Sequence, residues 1–259
     1  MISFEAVTKD YAGRRVVGPL SLEIAKGEFV ALLGGSGCGK TTTLKMINGL
    51  VRPTSGEIRV FGETVGDRPL PLLRRQIGYV FQEVGLFPHM TVAENIALGP
   101  RLAGWDRPRT AARVAELLDL VALPADSGAR LPATFSGGQR QRVGVARALA
   151  AGPELMLMDE PFGALDPITR DALGRDYRAL HERLGLTTVM VTHDVMEALL
   201  LADRVLVLEA GEIRADGSPR DLLGVIDDPV VAALLETPRR QARRLEALMG
   251  DSAKALSDG

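Results

Sequence analysis

Apolar positions along the chain follow three distinct rhythms. Leu20, Leu22 and Ile24 alternate with Ser21 and Glu23, the two-residue period of a half-buried strand. Ile2 to Tyr11 reads as a partner strand, with Ala12-Gly13-Arg14-Arg15 as the hairpin turn between them. Phe29-Val30-Ala31-Leu32-Leu33 is different, a continuous apolar run that predicts a parallel strand buried on both faces. Leu155-Met156-Leu157-Met158, Thr188-Val189-Met190-Val191 and Arg204 to Leu208 continue that buried core, and Glu57 to Phe61 and Ile77 to Phe81 add further strands. Glu209-Ala210-Gly211-Glu212-Ile213 carries a hairpin signal.

The third rhythm is helical. Thr91-Val92-Ala93-Glu94 opens a helix with a Thr-x-x-Glu capping box. Between Pro108 and Val121 the apolar residues Ala111, Val114, Leu117, Leu118 and Val121 recur at helical spacing, and another helix is expected from about Gly138 to Ala150. Thr169 to Leu184 is the clearest helix between the later strands. The middle of the chain is thus helical, whereas strands and helices alternate around it. The expected architecture is an α/β core over residues 1–83 and 155–225, with an N-terminal antiparallel β-subdomain and an inserted α-helical subdomain over about 84–154. Residues 226–259 are expected to form a C-terminal helical tail, whose arginines (Arg239, Arg240, Arg243, Arg244) read as a solvated helix before a frayed end.

Composition narrows the class. With 259 residues, 46% hydrophobic and 25% charged, the chain has the make-up of an ordinary globular protein. No apolar run approaches the about 20 residues needed to span a bilayer. The start, Met1-Ile2-Ser3-Phe4-Glu5, lacks the basic and apolar regions of a signal peptide. A single cysteine forbids an internal disulfide, and a net charge of −2 gives no electrostatic case for nucleic acid as a partner. A cytoplasmic protein is expected.

The chemistry begins where the first buried strand ends. Gly34-Gly35-Ser36-Gly37-Cys38-Gly39-Lys40-Thr41-Thr42 fits G-x-x-x-x-G-K-[ST], and it lies between an apolar strand and a helix start, the context this pattern requires. Glycines let successive backbone N–H groups converge on a phosphate, and the helix N-terminus adds its positive dipole end. Lys40 is expected to reach the β- and γ-phosphates and the Thr41 hydroxyl to ligate Mg²⁺, so a nucleoside triphosphate is the expected ligand. Cys38 is either a thiol-sensitive position or simply a small residue that fits.

Two further stretches extend this site. Leu155-Met156-Leu157-Met158-Asp159-Glu160 is an apolar strand ending in two acids; beside a phosphate loop it places Asp159 near Mg²⁺ and Glu160 as the general base for water. Phe135-Ser136-Gly137-Gly138-Gln139 opens a helix with a hydroxyl and two glycines. Ser136 is either a plain helix cap or part of a second anion site. A second anion site makes sense if it serves a nucleotide held by another copy of the chain.

With these stretches in order, the chain from about Ile2 to Leu223 resembles the nucleotide-binding subunit of an ATP-binding cassette (ABC) transporter. The resemblance implies a P-loop NTPase core and a head-to-tail homodimer that sandwiches ATP and Mg²⁺ between one copy's phosphate loop and the other's Ser136, Gly137, Gly138 and Gln139. Phe135 stands where the family usually has leucine. By resemblance, Tyr11 stacks on adenine, although by itself a tyrosine there reads as core packing. Gln82 contacts Mg²⁺ and links the core to the helical subdomain, Asp166 crosses the dimer interface, and His193 contacts the γ-phosphate. The segment Gln82 to Met90 is the implied connector to integral membrane permease subunits at the cytoplasmic face of the membrane, with Phe87, Pro88 and Met90 either docking the permease or capping the subdomain.

No membrane segment is seen fused to the ATPase, which suggests an importer with separate permeases and, indirectly, a substrate-binding protein. Arg74 to Gln82, Gly85 to Ile96 and Pro100-Arg101-Leu102-Ala103-Gly104-Trp105 resemble the osmoprotectant (glycine betaine, choline, carnitine) uptake ATPases. Many of those carry paired regulatory domains after the ATPase, for which a chain ending at Gly259 has no room. Taurine, nitrate and amino-acid uptake stay open as alternatives, as does a non-transport ABC ATPase acting on nucleic acid or ribosomes.

Overall fold

The computed structural model describes residues 1–67, 69–224, 228–236, 240 and 243–244. In chain order its elements are β1 (Ile2–Tyr11), β2 (Arg14–Ile24), β3 (Phe29–Gly34), α1 (Lys40–Ile47), β4 (Ser55–Val60), β5 (Glu63–Thr64) and α2 (Leu70–Arg75). Then come β6 (Ile77–Val80), α3 (Val92–Leu102), α4 (Arg107–Leu120), α5 (Gly137–Leu149), β7 (Leu155–Asp159) and α6 (Pro167–Leu184). The chain continues through β8 (Thr187–Thr192), α7 (Val195–Leu201), β9 (Arg204–Glu209), β10 (Glu212–Gly217) and α8 (Pro219–Leu223).

Two sheets form. One is antiparallel, in the order β2-β1-β4-β5; the other runs β10-β9-β3-β8-β7-β6, parallel except for its edge strand β10. The continuous apolar runs have a simple cause. Every residue of β3, β7 and β8 is buried, because the parallel sheet is covered on both faces. Phe29, Ala31, Leu33, Met156, Met158 and Met190 pack with the helical side, whereas Val30, Leu32, Leu155, Leu157 and Val189 pack with the antiparallel sheet and α1. Successive strand residues point to opposite faces, so each strand feeds two apolar layers.

The helical insertion has no core of its own. Val92 and Ile96 of α3 and Val114, Leu117 and Leu118 of α4 belong to the same apolar cluster as Phe29 and Met156, with α5 packed against α3, β6 and α6. Two expected boundaries move. The first hairpin turn shrinks to Ala12-Gly13, since Tyr11 pairs with Arg14 and Asp10 with Arg15, the latter reinforced by an Arg15–Asp10 ion pair at 2.6 Å. β6 stops at Val80, leaving Phe81 exposed. Residues 229–236 are helical, with Val231 and Leu235 buried in the main cluster, so this part of the tail is packed. Of the arginine-rich stretch, Arg240, Arg243 and Arg244 are helical and exposed, while Arg239 and most of the remainder lie outside the described residues.

Candidate nucleotide site

Parallel strands deliver all their C-terminal ends to one edge of the sheet, where ligands of such folds bind. Here β3 ends in the glycine loop, β7 in Asp159-Glu160, β8 in Thr192-His193, and β6 two residues before Gln82. The register keeps those ends level: Leu33 lies beside Thr192, Asp159 beside Val191 and Val80 beside Met158.

The loop over residues 34–39 is shaped by close approach. A Cβ on Gly34, whose φ is +155°, would stand 2.2 Å from the Leu208 carbonyl oxygen. On Gly39 (φ +101°) it would meet the Val16 oxygen at 2.6 Å. Among the described residues nothing lies within 4 Å of a Cβ built on Gly35 or Gly37, and Ser36 is exposed. Lys40, the first residue of α1, is buried beneath the loop, its Nζ donating to the carbonyls of Gly34 (2.8 Å) and Gly35 (2.7 Å). Cys38 is also buried, its Sγ 3.7 Å from that ammonium. Thr41 and Thr42, in the first turn of α1, are half-buried. The Val16 carbonyl and the Val17 side chain press on Gly39, bringing β2 against the loop. At the tip of the β1–β2 hairpin Tyr11 is 46% exposed, with the Lys9 ammonium 4.8 Å from its ring centre. The core-packing reading of Tyr11 is therefore wrong: its ring is on the surface.

Beyond the loop, the acids line up. The Thr41 hydroxyl donates to Asp159 Oδ1 at 2.8 Å. Burial, and next the charge of Asp159, push the Tyr79 phenol well above its usual range, so Tyr79 stays neutral beside that carboxylate. Glu160 occupies a positive φ of +44°, which costs a non-glycine residue of order 1–3 kcal/mol. Its backbone N–H donates to the Val191 carbonyl at 2.9 Å. Its Oε2 accepts from Gln82 Nε2 at 3.2 Å and lies 3.0 Å from His193 Nδ1. Lys40, Thr41, Asp159, Glu160, Gln82 and His193 are thus brought to one edge of the sheet.

Ser136, Gly137, Gly138, Gln139 and Asp166 gather in a second place, where the N-termini of α5 and α6 meet. Ser136 and Gln139 form a reciprocal capping box, so the cap reading of Ser136 holds in this chain. A Cβ on Gly138 would stand 2.5 Å from Thr169 Cγ2, which gives that glycine a packing reason; Gly137 has room, with Leu165 at 3.5 Å. Asp166 caps α6 by accepting from the Thr169 N–H at 3.0 Å, and its hydrogen bonds to Thr169 hold its carboxyl below the usual range. Phe135 is buried in the main cluster, so an aromatic fills an apolar anchor position.

The connector is a held loop with an exposed tip. Asn95, fully buried on α3, accepts from the Phe87 N–H at 2.8 Å and donates to the carbonyls of Phe87, Met90 and Thr91. Phe87 is nonetheless 46% exposed and Pro88 is exposed, which overturns the subdomain-capping alternative for these two. Arg147 of α5 donates to the carbonyls of Val84 (2.6 Å) and Gly85 (2.7 Å), and burial lowers its pKa. Asn95 and Arg147 escape sequence reasoning because their partners are backbone atoms that composition does not mark.

A parallel sheet whose first buried strand runs through a glycine loop into a helix, with a Thr–carboxylate pair beside it, defines a P-loop nucleotide-binding domain. More narrowly, the chain belongs to the ABC transporter family, whose model matches residues 17–163. It is 52% identical over 224 residues to the choline transport ATP-binding protein OpuBA of Bacillus subtilis, covering 86% of this chain and 59% of that protein. It is 50% identical over 223 residues to the glycine betaine uptake system ATP-binding protein YehX of Escherichia coli, covering 86% and 72%. Among solved structures it matches the dimeric, post-hydrolysis ATP-binding cassette MJ0796 bound to ADP and Pi, with a TM-score of 0.76, 33% identity, and coverage of 85% and 99%. Among the described residues no helix is long and apolar enough to cross a membrane.

Proposed function

We propose that this chain binds and hydrolyses ATP as the membrane-peripheral, cytoplasmic-face subunit of an ABC importer for osmoprotectants such as glycine betaine, choline or carnitine. The observation that carries the catalytic part is the convergence of Lys40, Thr41, Asp159, Gln82, Glu160 and His193 on one sheet edge. The substrate class rests on what the relatives transport.

The oxygen donors of Thr41, Asp159 and Gln82 suit a hard divalent cation, and the 2.8 Å Thr41–Asp159 contact already places two of them together. They would hold Mg²⁺, which neutralises phosphate charge when bound. Lys40 and the loop N–H groups bind the phosphates. Glu160 takes the proton of the attacking water, oriented by Gln82 and His193 at its Oε2. A homodimer completes each site with the partner's Ser136 loop, and the exposed Phe87–Pro88 tip docks separate permease subunits.

The purified chain should hydrolyse ATP, and Glu160→Gln should keep ATP binding while losing turnover by about a hundredfold or more. Normal turnover in that variant removes Glu160 from the role of base. The tagged chain should recover a permease and a binding protein from native membranes, and that binding protein should bind quaternary amines. Recovery of ribosomes or nucleic acid alone defeats the transport reading.

A further inference from the structure

Arg170, in the first turn of α6, lies outside the nucleotide-site residues named so far, yet it touches both loops that carry Glu160 and His193. Its Nη2 donates to the carbonyls of Gly163 (3.3 Å) and Leu165 (3.1 Å), in the loop that follows Glu160. Its Nη1 donates to Asp194 Oδ2 at 2.8 Å, in the turn that follows His193. Asp194 is itself fixed. Its Oδ1 accepts from the N–H groups of Met196 and Glu197, and its own N–H donates to Thr192 Oγ1.

These contacts close a ring. From Glu160 the chain runs to Gly163, whose N–H returns to the Glu160 carbonyl at 3.3 Å. Arg170 then crosses to Asp194, the neighbour of His193, and His193 returns to Glu160 at 3.0 Å. Gly163 is held close: a Cβ there would stand 3.7 Å from both Glu160 Oε2 and His193 Cε1. Behind the ring, the buried Glu197 accepts from the Thr192 hydroxyl at 2.6 Å and presents its other oxygen to Arg170 Nε at 3.7 Å. A planar guanidinium serves two carbonyls and a carboxylate at fixed angles, which an ammonium cannot do.

We propose that Arg170 is a positioning residue, acting through Asp194 and the 163–165 carbonyls to hold Glu160 and His193 at hydrogen-bond distance. The inference rests on the reading of Glu160 as base. Arg170 itself touches neither water nor nucleotide in this scheme. It sets where the base sits, and a small displacement of a reacting group costs rate steeply while leaving nucleotide affinity alone.

The test is steady-state ATP hydrolysis by the full-length chain carrying Arg170→Gln, Arg170→Lys, Asp194→Asn, and the Gln–Asn pair together. Wild type must turn over and Glu160→Gln must not; failure of that control defeats the function reading itself. With the control in place, Arg170→Gln and Asp194→Asn should each lower kcat about tenfold or more with the KM for ATP within about twofold. The double variant should be no slower than the worse single one, since both remove one link. Arg170→Lys, which keeps the charge and loses the fork, should fall between wild type and Arg170→Gln. The inference is overturned by an unchanged kcat, by multiplicative losses in the double variant, or by kcat and affinity falling together with melting temperature. Should Arg170→Gln not fold, Arg170→Lys and Asp194→Asn give the same decision from the same split between kcat and KM.

Discussion

At the scale of single residues, the phosphate loop contains two kinds of glycine. Gly34 is required by the protein itself, because any Cβ there runs into the Leu208 carbonyl at 2.2 Å, backbone that cannot step aside cheaply. A Cβ on Gly35 meets nothing within 4 Å among the described residues and has no such constraint there. Gly34→Ala is therefore expected to lower stability by about 1–3 kcal/mol, and Gly35→Ala to stay within about 0.5 kcal/mol of the parent. Urea unfolding without nucleotide reads this directly, and equal losses for the two would contradict the steric account. The pattern G-x-x-x-x-G-K-[ST] was readable because it is contiguous and its chemistry is local. Arg170 and Asn95 were not, because each acts through carbonyls or carboxylates brought near by folding.

Among the elements, α3 shows how local signals succeed. Its capping box was visible as Thr91-x-x-Glu94, and in the structure Thr91 Oγ1 accepts from the Glu94 N–H while Glu94 Oε2 accepts from the Thr91 N–H at 2.7 Å. Those bonds from Thr91 hold the Glu94 carboxyl below its usual range. A carboxyl whose pKa falls on folding stabilises the fold above its unfolded pKa, and the contribution is lost as pH falls through the folded value. Thr91→Ala should cost about 1 kcal/mol near neutrality, and the gap to the parent should narrow as pH drops below the ordinary glutamate range. Thermal melts of the two proteins across that range would show it; a gap that widens on acidification would refute the assignment. What the pattern could not show at this scale was where elements trade partners. The start of β2 at Arg14 follows from pairing with Tyr11, and the tail helix at 229–236 is held by Val231 and Leu235 in a core assembled from distant strands.

For the whole molecule, the question is what the cluster at the heads of α5 and α6 faces. Within one chain Ser136 and Gln139 cap each other, and Gly138 is pinned against Thr169. Neither Ser136 nor Gly138 can then be replaced without disturbing the chain that carries it. Gly137 is different, because a Cβ there meets, among the described residues, just Leu165 at an ordinary 3.5 Å. It is also the first residue of α5, where a carboxylate is favoured by the helix dipole. Gly137→Glu should therefore fold as well as the parent and bind ATP with similar affinity at its own phosphate loop. If the α5 N-terminus receives the partner's nucleotide, the same carboxylate opposes the phosphates across the interface. Glu160→Gln alone, which binds ATP without turning it over, is expected to accumulate an ATP-dependent dimer; with Gly137→Glu added, that dimer should be lost, as read by light scattering at matched concentration. A dimer of undiminished strength would place the nucleotide sandwich elsewhere. Loss of both the dimer and ATP binding would mean that the loop serves its own chain's site rather than its neighbour's.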